Sequence, residues 1–152
     1  MKIFETSQDI QDLAQSKFED TNLAQIGINL KILSVTKSKQ ILKISRASAT
    51  TQFLTNKDII LTVYEEAFDR LSDDFKEKLM EGCFSSVSYD SEKDKLNVDG
   101  DFTKEIFRMR KKYPNYVDIA ETSFLIIEEI EEEEKERKEA EKLERASKKK
   151  NK

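Results

Sequence analysis

The sequence predicts an α+β domain, or a small α/β one, with a sheet of roughly two to four strands backed by helices and a long charged helix at its C-terminus. Three observations lead there. Helical apolar spacing and strand-like alternation succeed one another through the first two-thirds of the chain. One short run, Asp58-Ile59-Ile60-Leu61-Thr62-Val63, is apolar, β-branched and too short for a helix, as a buried strand should be. After Pro114 a helical pattern runs almost unbroken to the end, apolar along one face at first and charged all round later.

Each element has its own signal. Ile10, Leu13, Ala14 and Phe18 repeat at helical spacing, with Thr6 or Ser7 to cap the first turn and Asp9 and Asp12 near its positive end. Ile26, Ile28, Leu30 and Ile32 alternate with polar or small residues and predict a half-buried strand. Lys37-Ser38-Lys39 reads as a turn, and Gln40 to Ser45 as a returning strand. Ser48 to Phe53 fits either a short helix or an irregular connection. After the strand at Asp58 to Val63, Tyr64 to Leu71 predicts one or two helical turns. Ser72, followed by Asp73 and Asp74, caps a longer helix whose face carries Phe75, Leu79, Cys83 and Ser86, with Met80 and Val87 beside it. Asp90 to Asp94 is a charged turn and Lys95 to Val98 a short strand ended by Asp99-Gly100. Phe102, Ile106, Phe107 and Arg110 predict a helix halted near Pro114.

The last helix divides in two. Val117, Ala120, Phe124, Ile127 and Ile130 form a stripe that can dock on the body. Beyond Ile130 the stripe fails and Glu131–Lys135, Glu134–Lys138 and Glu141–Arg145 fall at i, i+4, where opposite charges support a solvated helix. Ala140, Leu143 and Ala146 are too sparse to specify a coiled coil. Residues 1–127 therefore read as one globular domain, and 128–152 as a charged helical extension with a disordered Lys-rich end. Glu131, Lys135, Lys138, Leu143 and Arg145 are the candidate contacts for a protein partner.

Composition removes several kinds of chemistry. The chain has no histidine, a single cysteine (Cys83) and three separated glycines, Gly27, Gly82 and Gly100. An internal disulfide, a multi-cysteine zinc site and a Gly-rich phosphate loop are thereby excluded. A net charge of −4 gives no general attraction to nucleic acid or anionic membranes. No apolar run approaches the ~20 residues needed to span a bilayer, and the start is unlike a signal peptide. Asp90, Glu92, Asp94 and Asp101 have the spacing of a calcium loop, but Lys95 stands where its sharp turn needs glycine, so a solvated turn is expected. Lys104, Arg108, Arg110, Lys111 and Lys112, with Tyr113 and Tyr116 alongside, make a modest basic helix surface. Cys83 lacks a histidine partner and sits on an apolar helix face, which predicts a buried structural thiol.

From Ile41 to Asn115 the order of signals resembles small bacteriophage-encoded metallopeptidase-like proteins, zincin-like relatives of the SprT-type proteases. The residues that carry it are Lys43-Ile44-Ser45, Phe53-Leu54-Thr55, the strand at Asp58 to Val63 and the run Ala67 to Lys76. Leu79-Met80, Val87 to Asp90 and Asp101-Phe102 to Tyr113 complete it, so the likeness covers about half the chain. The resemblance implies a minimal zincin-like domain whose H-E-x-x-H positions fall on Gly82-Cys83-Phe84-Ser85-Ser86, with the third ligand at Gly100. These are degenerate active-site positions. Glycine has no side chain, serine is a poor neutral zinc ligand, and one cysteine cannot hold the ion tetrahedrally. Without a bound cation no water acquires a pKa near 7, and without the glutamate nothing takes its proton.

The resulting expectation is a non-catalytic pseudo-metallopeptidase of phage origin, with no cofactor, no metal and no catalytic residues. It would act as a structural or protein-binding component, in the virion or the host cytoplasm, with a phage or host protein or a second copy of itself as partner. One alternative is an intracellular regulator or decoy that binds a host enzyme or defence protein. A second is an enzyme that holds a metal through Asp and Glu alone. Gly82 in mid-helix costs about 1 kcal/mol against alanine; the expected reason is close packing where a metal and its ligand side chains would otherwise sit, the alternative a ligand bound in a residual cavity.

Overall fold

A computed structural model describes residues 1–150. Among them lie a four-stranded sheet, a two-stranded sheet and packed helices, ending in one helix of 35 residues. In chain order the elements are β1 (Ile3–Phe4), α1 (Gln8–Glu19), β2 (Leu30–Val35), β3 (Leu42–Arg46), α2 (Ala49–Thr55) and β4 (Ile59–Tyr64). There follow α3 (Glu65–Phe68), α4 (Asp73–Phe84), β5 (Val87–Asp90), β6 (Lys95–Val98), α5 (Phe102–Lys112) and α6 (Tyr116–Lys150). The α+β class is as the residue pattern predicts.

The larger sheet has the order β1-β2-β4-β3. Its central strand, β4, runs parallel to β2 (Leu30 opposite Ile59) and antiparallel to β3 (Ile44 opposite Leu61). A central strand must be apolar on the face that meets the helices, and Ile59, Leu61 and Val63 are completely buried while Ile60 and Thr62 between them are half-buried. β5 and β6 form a separate hairpin, Val87 opposite Val98, around the tight turn in which Asp90 Oδ1 accepts from the Glu92 and Lys93 amides. The calcium-like spacing is thus a hydrogen-bonded turn, with Asp94 in the left-handed region at φ 47°.

Helix starts follow their capping residues. The Ser72 hydroxyl accepts from the Phe75 amide at 3.2 Å and Asp73 and Asp74 sit in the first turn of α4. Asp101 caps α5 by accepting from the Thr103 amide at 3.0 Å, and Ser48 caps α2. Ser7 starts α1 without a side-chain cap; Thr6 is instead buried and its hydroxyl accepts from Ser34 Oγ. α1 packs on α4, α4 on β3, and α5 and α6 on α4. The core joins Phe18, Phe68, Phe84 and Met80 to the inner face of β4 and to Tyr116 and Ile119 of α6.

Several expectations are corrected. The apolar face expected to run through Ser86 and Val87 stops earlier, since α4 ends at Phe84 and Val87 opens β5. The strand predicted from Ile26 begins at Leu30; residues 22–27 form turns that close through the positive φ of Gly27, leaving Ile26 exposed. The α6 docking stripe has a different phase. Val117 and Phe124 are exposed at 46% and 43%, and the buried positions are Tyr116, Ile119, Ala120, Ser123, Ile126, Ile127 and Ile130. On α5 Phe102 and Ile106 pack against the core as expected, but the buried residues are Glu105 and Met109, and Phe107 lies in solvent with Arg110 over its ring. Of the three expected tail pairs, Glu134–Lys138 closes at 3.2 Å, whereas Glu131–Lys135 and Glu141–Arg145 do not come within 4.0 Å; Glu144–Lys148 forms at 3.5 Å. The expected disordered end falls partly on residues 151 and 152, outside the described residues; Lys148 to Lys150 are helical.

Candidate functional site

The C-terminal half of α4 brings Gly82 and Cys83 to the centre of the helical layer. Ser86 follows directly, its hydroxyl donating to the Cys83 carbonyl at 2.6 Å and so closing the end of the helix. Gly100 arrives from the other side, between β6 and the Asp101 cap of α5. Cys83, Ser86 and Gly100 line one cavity of about 50 Å³, together with Leu42 and Ile44 of β3 and Phe102 and Glu105 of α5. That volume holds on the order of a few water molecules and no peptide.

Gly82 points elsewhere. Tyr116, the first residue of α6 and fully buried, lays its ring against the Gly82 backbone. A Cβ built there would overlap the Tyr116 hydroxyl and ring and touch Met109 Cγ at 3.2 Å. The glycine is required by close approach, and the object that approaches is an aromatic ring from the last helix. That ring is also how α6 is anchored at its start.

The Tyr116 hydroxyl donates to Glu105 Oε2 at 2.9 Å. Glu105 is only 7% exposed. Burial drives its carboxyl pKa up to about 7, against the opposing pull of the Tyr116 hydrogen bond and the Arg108 charge. Burial also raises Tyr116, with the Glu105 carboxylate adding to the effect. The Cys83 thiol is held well above its ordinary value by burial and then by Glu105, so it stays protonated and is a poor nucleophile. Arg108 reaches Ser85 Oγ with Nε at 3.4 Å, a long contact, and one terminal nitrogen is buried without a hydrogen-bond partner. At the far end of α5, Glu81 accepts from Tyr113 Oη at 2.6 Å and from Lys112 Nζ, which ties α4 to α5. Burial opposes its ionisation, but those two donors outweigh it and hold the carboxyl below its usual range.

This arrangement offers one ionisable carboxyl, one protonated thiol and one hydroxyl already committed to the backbone. Among the described residues no three Asp, Glu, Cys or His side chains are placed to hold a metal ion. Asp99 and Asp101 reach the cavity rim but spend their oxygens on the Asp101 and Thr103 amides. Glu105 is the residue that a search for apolar periodicity passes over. Its signal was positional: it lies three residues after Phe102 and four before Met109, on the face those two share.

The candidate partner contacts are spread along the free part of α6. Glu131, Lys135, Lys138, Leu143 and Arg145 are all exposed, Leu143 at 72%. They do not converge on the cavity. The body's hold on this region is Arg70, whose guanidinium donates to both Glu133 oxygens at 3.1 and 2.7 Å and lies 3.9 Å from Glu129 and 3.7 Å from Glu66. No helix among the described residues is long and apolar enough to cross a membrane. No protein-family model, curated protein or solved structure matches this chain.

Proposed function

We propose that this chain is a non-catalytic protein-binding module: a metallopeptidase-like frame of phage type, emptied of its chemistry and used as a structural component of a particle. The observation that carries it is the course of α6. The helix is anchored by buried side chains from Tyr116 to Ile130, then continues to Lys150 with its side chains in solvent. A helix of that length without a buried face is supported by intrahelical charge pairs and made useful by a surface it can meet. The cavity beside Cys83 supports the same reading, since its volume of about 50 Å³ takes water-sized molecules and no substrate chain.

The test is a tagged capture from the native background, read by mass spectrometry, with three forms of the full chain. The unaltered protein should recover a defined set of particle proteins. Lys138→Glu with Leu143→Ala and Arg145→Glu should lose them, while Cys83→Ala with Ser86→Ala should keep them. Loss through the cavity variant at unchanged stability would move the binding surface to the cleft and defeat the proposal. Recovery of one host protein, with no particle component, would support the regulator instead.

An enzyme that works through carboxylates draws on one observation, Glu105 with a pKa of about 7 in a cavity shared with Asp99 and Asp101. Such an enzyme gains thermal stability on binding magnesium or manganese, by linkage. An unchanged midpoint at saturating metal removes it.

A further inference from the structure

The free part of α6 is divided by charge as well as by support. Every charged residue from Glu128 to Glu134 is a glutamate, whereas between Lys142 and Lys150 the only acid is Glu144. Much of that charge is unspent. Among the described residues Glu128, Glu131 and Glu132 have no basic partner within 4.0 Å, and Lys142, Arg145 and Lys149 have no acidic one. The basic helix α5 is not the complement, because Lys112 is taken by Glu81, Lys104 by Asp99 at 3.5 Å, and Arg110 lies over Phe107. Among the described residues Lys111 of α5 is unpaired but single, whereas the end of α6 carries a run of unpaired bases, Lys142, Arg145 and Lys149, on one element.

One helix cannot bring its own two ends together, but two copies can. We propose that the exposed part of α6 pairs with the same segment of a second copy, antiparallel, so that Glu128–Glu134 of each faces Lys142–Lys150 of the other. The inference rests on the reading of this helix as the contact surface and names its partner. The two-fold axis then falls near Glu139, and the overlap is roughly 34 Å long. A parallel pair would set acid against acid and base against base along its whole length, so the charge pattern selects the orientation. Opposed helix dipoles favour the same arrangement. Near the axis Ala140 lets the backbones approach, and Leu143 lies beside the aliphatic stem of Lys135 of the other copy. With so little apolar surface the pair is a salt-sensitive one, and its surface partners stay charged on the outside.

Sedimentation equilibrium of the full chain tests this. At about 50 mM salt the mass should rise to that of a dimer with concentration, and the association constant should fall at least about ten-fold by about 500 mM. Glu128→Lys with Glu131→Lys and Glu132→Lys should be monomeric alone, as should Arg145→Glu with Lys148→Glu and Lys149→Glu. Mixed in equal amounts, the two should form a one-to-one dimer. All six positions are exposed, and circular dichroism checks that the helix persists. Orientation is read from Glu131→Cys mixed with Ser147→Cys, with buried Cys83 left in place: oxidation should give the mixed 131–147 product. Products joining 131 to 131 and 147 to 147 would overturn the antiparallel pair. A chain monomeric at every concentration at low salt would overturn the inference. If that monomer still captured another protein through α6, the protein-binding reading would stand; if charge reversal in α6 changed no association of any kind, both would fall.

Discussion

The two halves of α6 share a backbone and differ in everything that holds it. From Tyr116 to Ile130 the helix is fixed by burial: Tyr116 against Gly82, Ile119 and Ile127 in the core, and Ser123 Oγ donating to the Ala120 carbonyl so that a polar side chain can face inward. From Glu131 to Lys150 it is fixed by short-range charge, with the Arg70 fork to Glu133 as its last tie to the body. The difference teaches where mutation should act. Changes in the first half, and at what it touches, should be felt by the whole fold. Changes in the second should be felt by whatever the protein meets.

The largest expected effect is at the anchor. Tyr116→Ala removes the largest fully buried side chain of α6 and should cost about 3–5 kcal/mol in denaturant unfolding. Gly82→Ala should follow at about 2–4 kcal/mol. Helix propensity alone predicts the opposite sign there, a gain of about 1 kcal/mol, so a stabilised Gly82→Ala would show that Tyr116 does not press on this backbone.

Next comes the buried carboxyl. Folded Glu105 titrates near 7, above its value of 4.5 in the unfolded chain, so folding favours the protonated form. Its stabilising contribution is complete below pH 4.5 and is lost as pH rises through 7, a fall of up to about 3 kcal/mol. Glu105→Gln keeps a neutral acceptor for Tyr116 and should flatten that stretch of the stability–pH curve, leaving the variant more stable than the parent at pH 8. A parent whose stability does not decline between pH 5 and 8 would contradict the buried environment assigned to Glu105.

The smallest effects belong to surfaces that touch nothing. Phe53→Ser on α2, where Phe53 is 89% exposed, should change stability by less than about 0.5 kcal/mol. A larger loss would mean that α2 packs on something in solution.

Legibility in the sequence follows the same division between apolar and polar. β4 was plain because Asp58 to Val63 is short, β-branched and bounded, and α4 because Ser72 and two aspartates announce its start. Of the hairpin only β6 is legible, as Lys95 to Val98 after a charged turn; β5 is not, because Ser86 and Val87 continue the apolar spacing of α4 although the helix ends at Phe84. The inward faces of α5 and α6 are legible in part: Phe102, Ile106, Ala120, Ile127 and Ile130 turn inward as expected, while the buried Glu105, Ser123 and Tyr116 are polar and carry no apolar signal. A stripe drawn through apolar residues passes them by and takes in Phe107 and Val117, which face water, and Phe124, which is 43% exposed and packs edge-on against Phe102. The same blindness hid the centre of the candidate site. Gly82 could be read as a point of close approach, but nothing in its neighbourhood named Tyr116, more than thirty residues away, as the group that approaches. Cys83, Ser86 and Gly100 do share a cavity, and the side chain that dominates its electrostatics is Glu105.

The most direct test of the division is the chain cut after Ile130, compared with the full chain by thermal unfolding and by mass in solution. The account predicts one cooperative transition with a midpoint within about 2 °C of the parent, since no buried side chain is lost, together with loss of self-association and of captured partners. A truncated chain that melts without cooperativity would show that the charged half of α6 holds the fold, and one that still associates would show that the contact surface lies on the body.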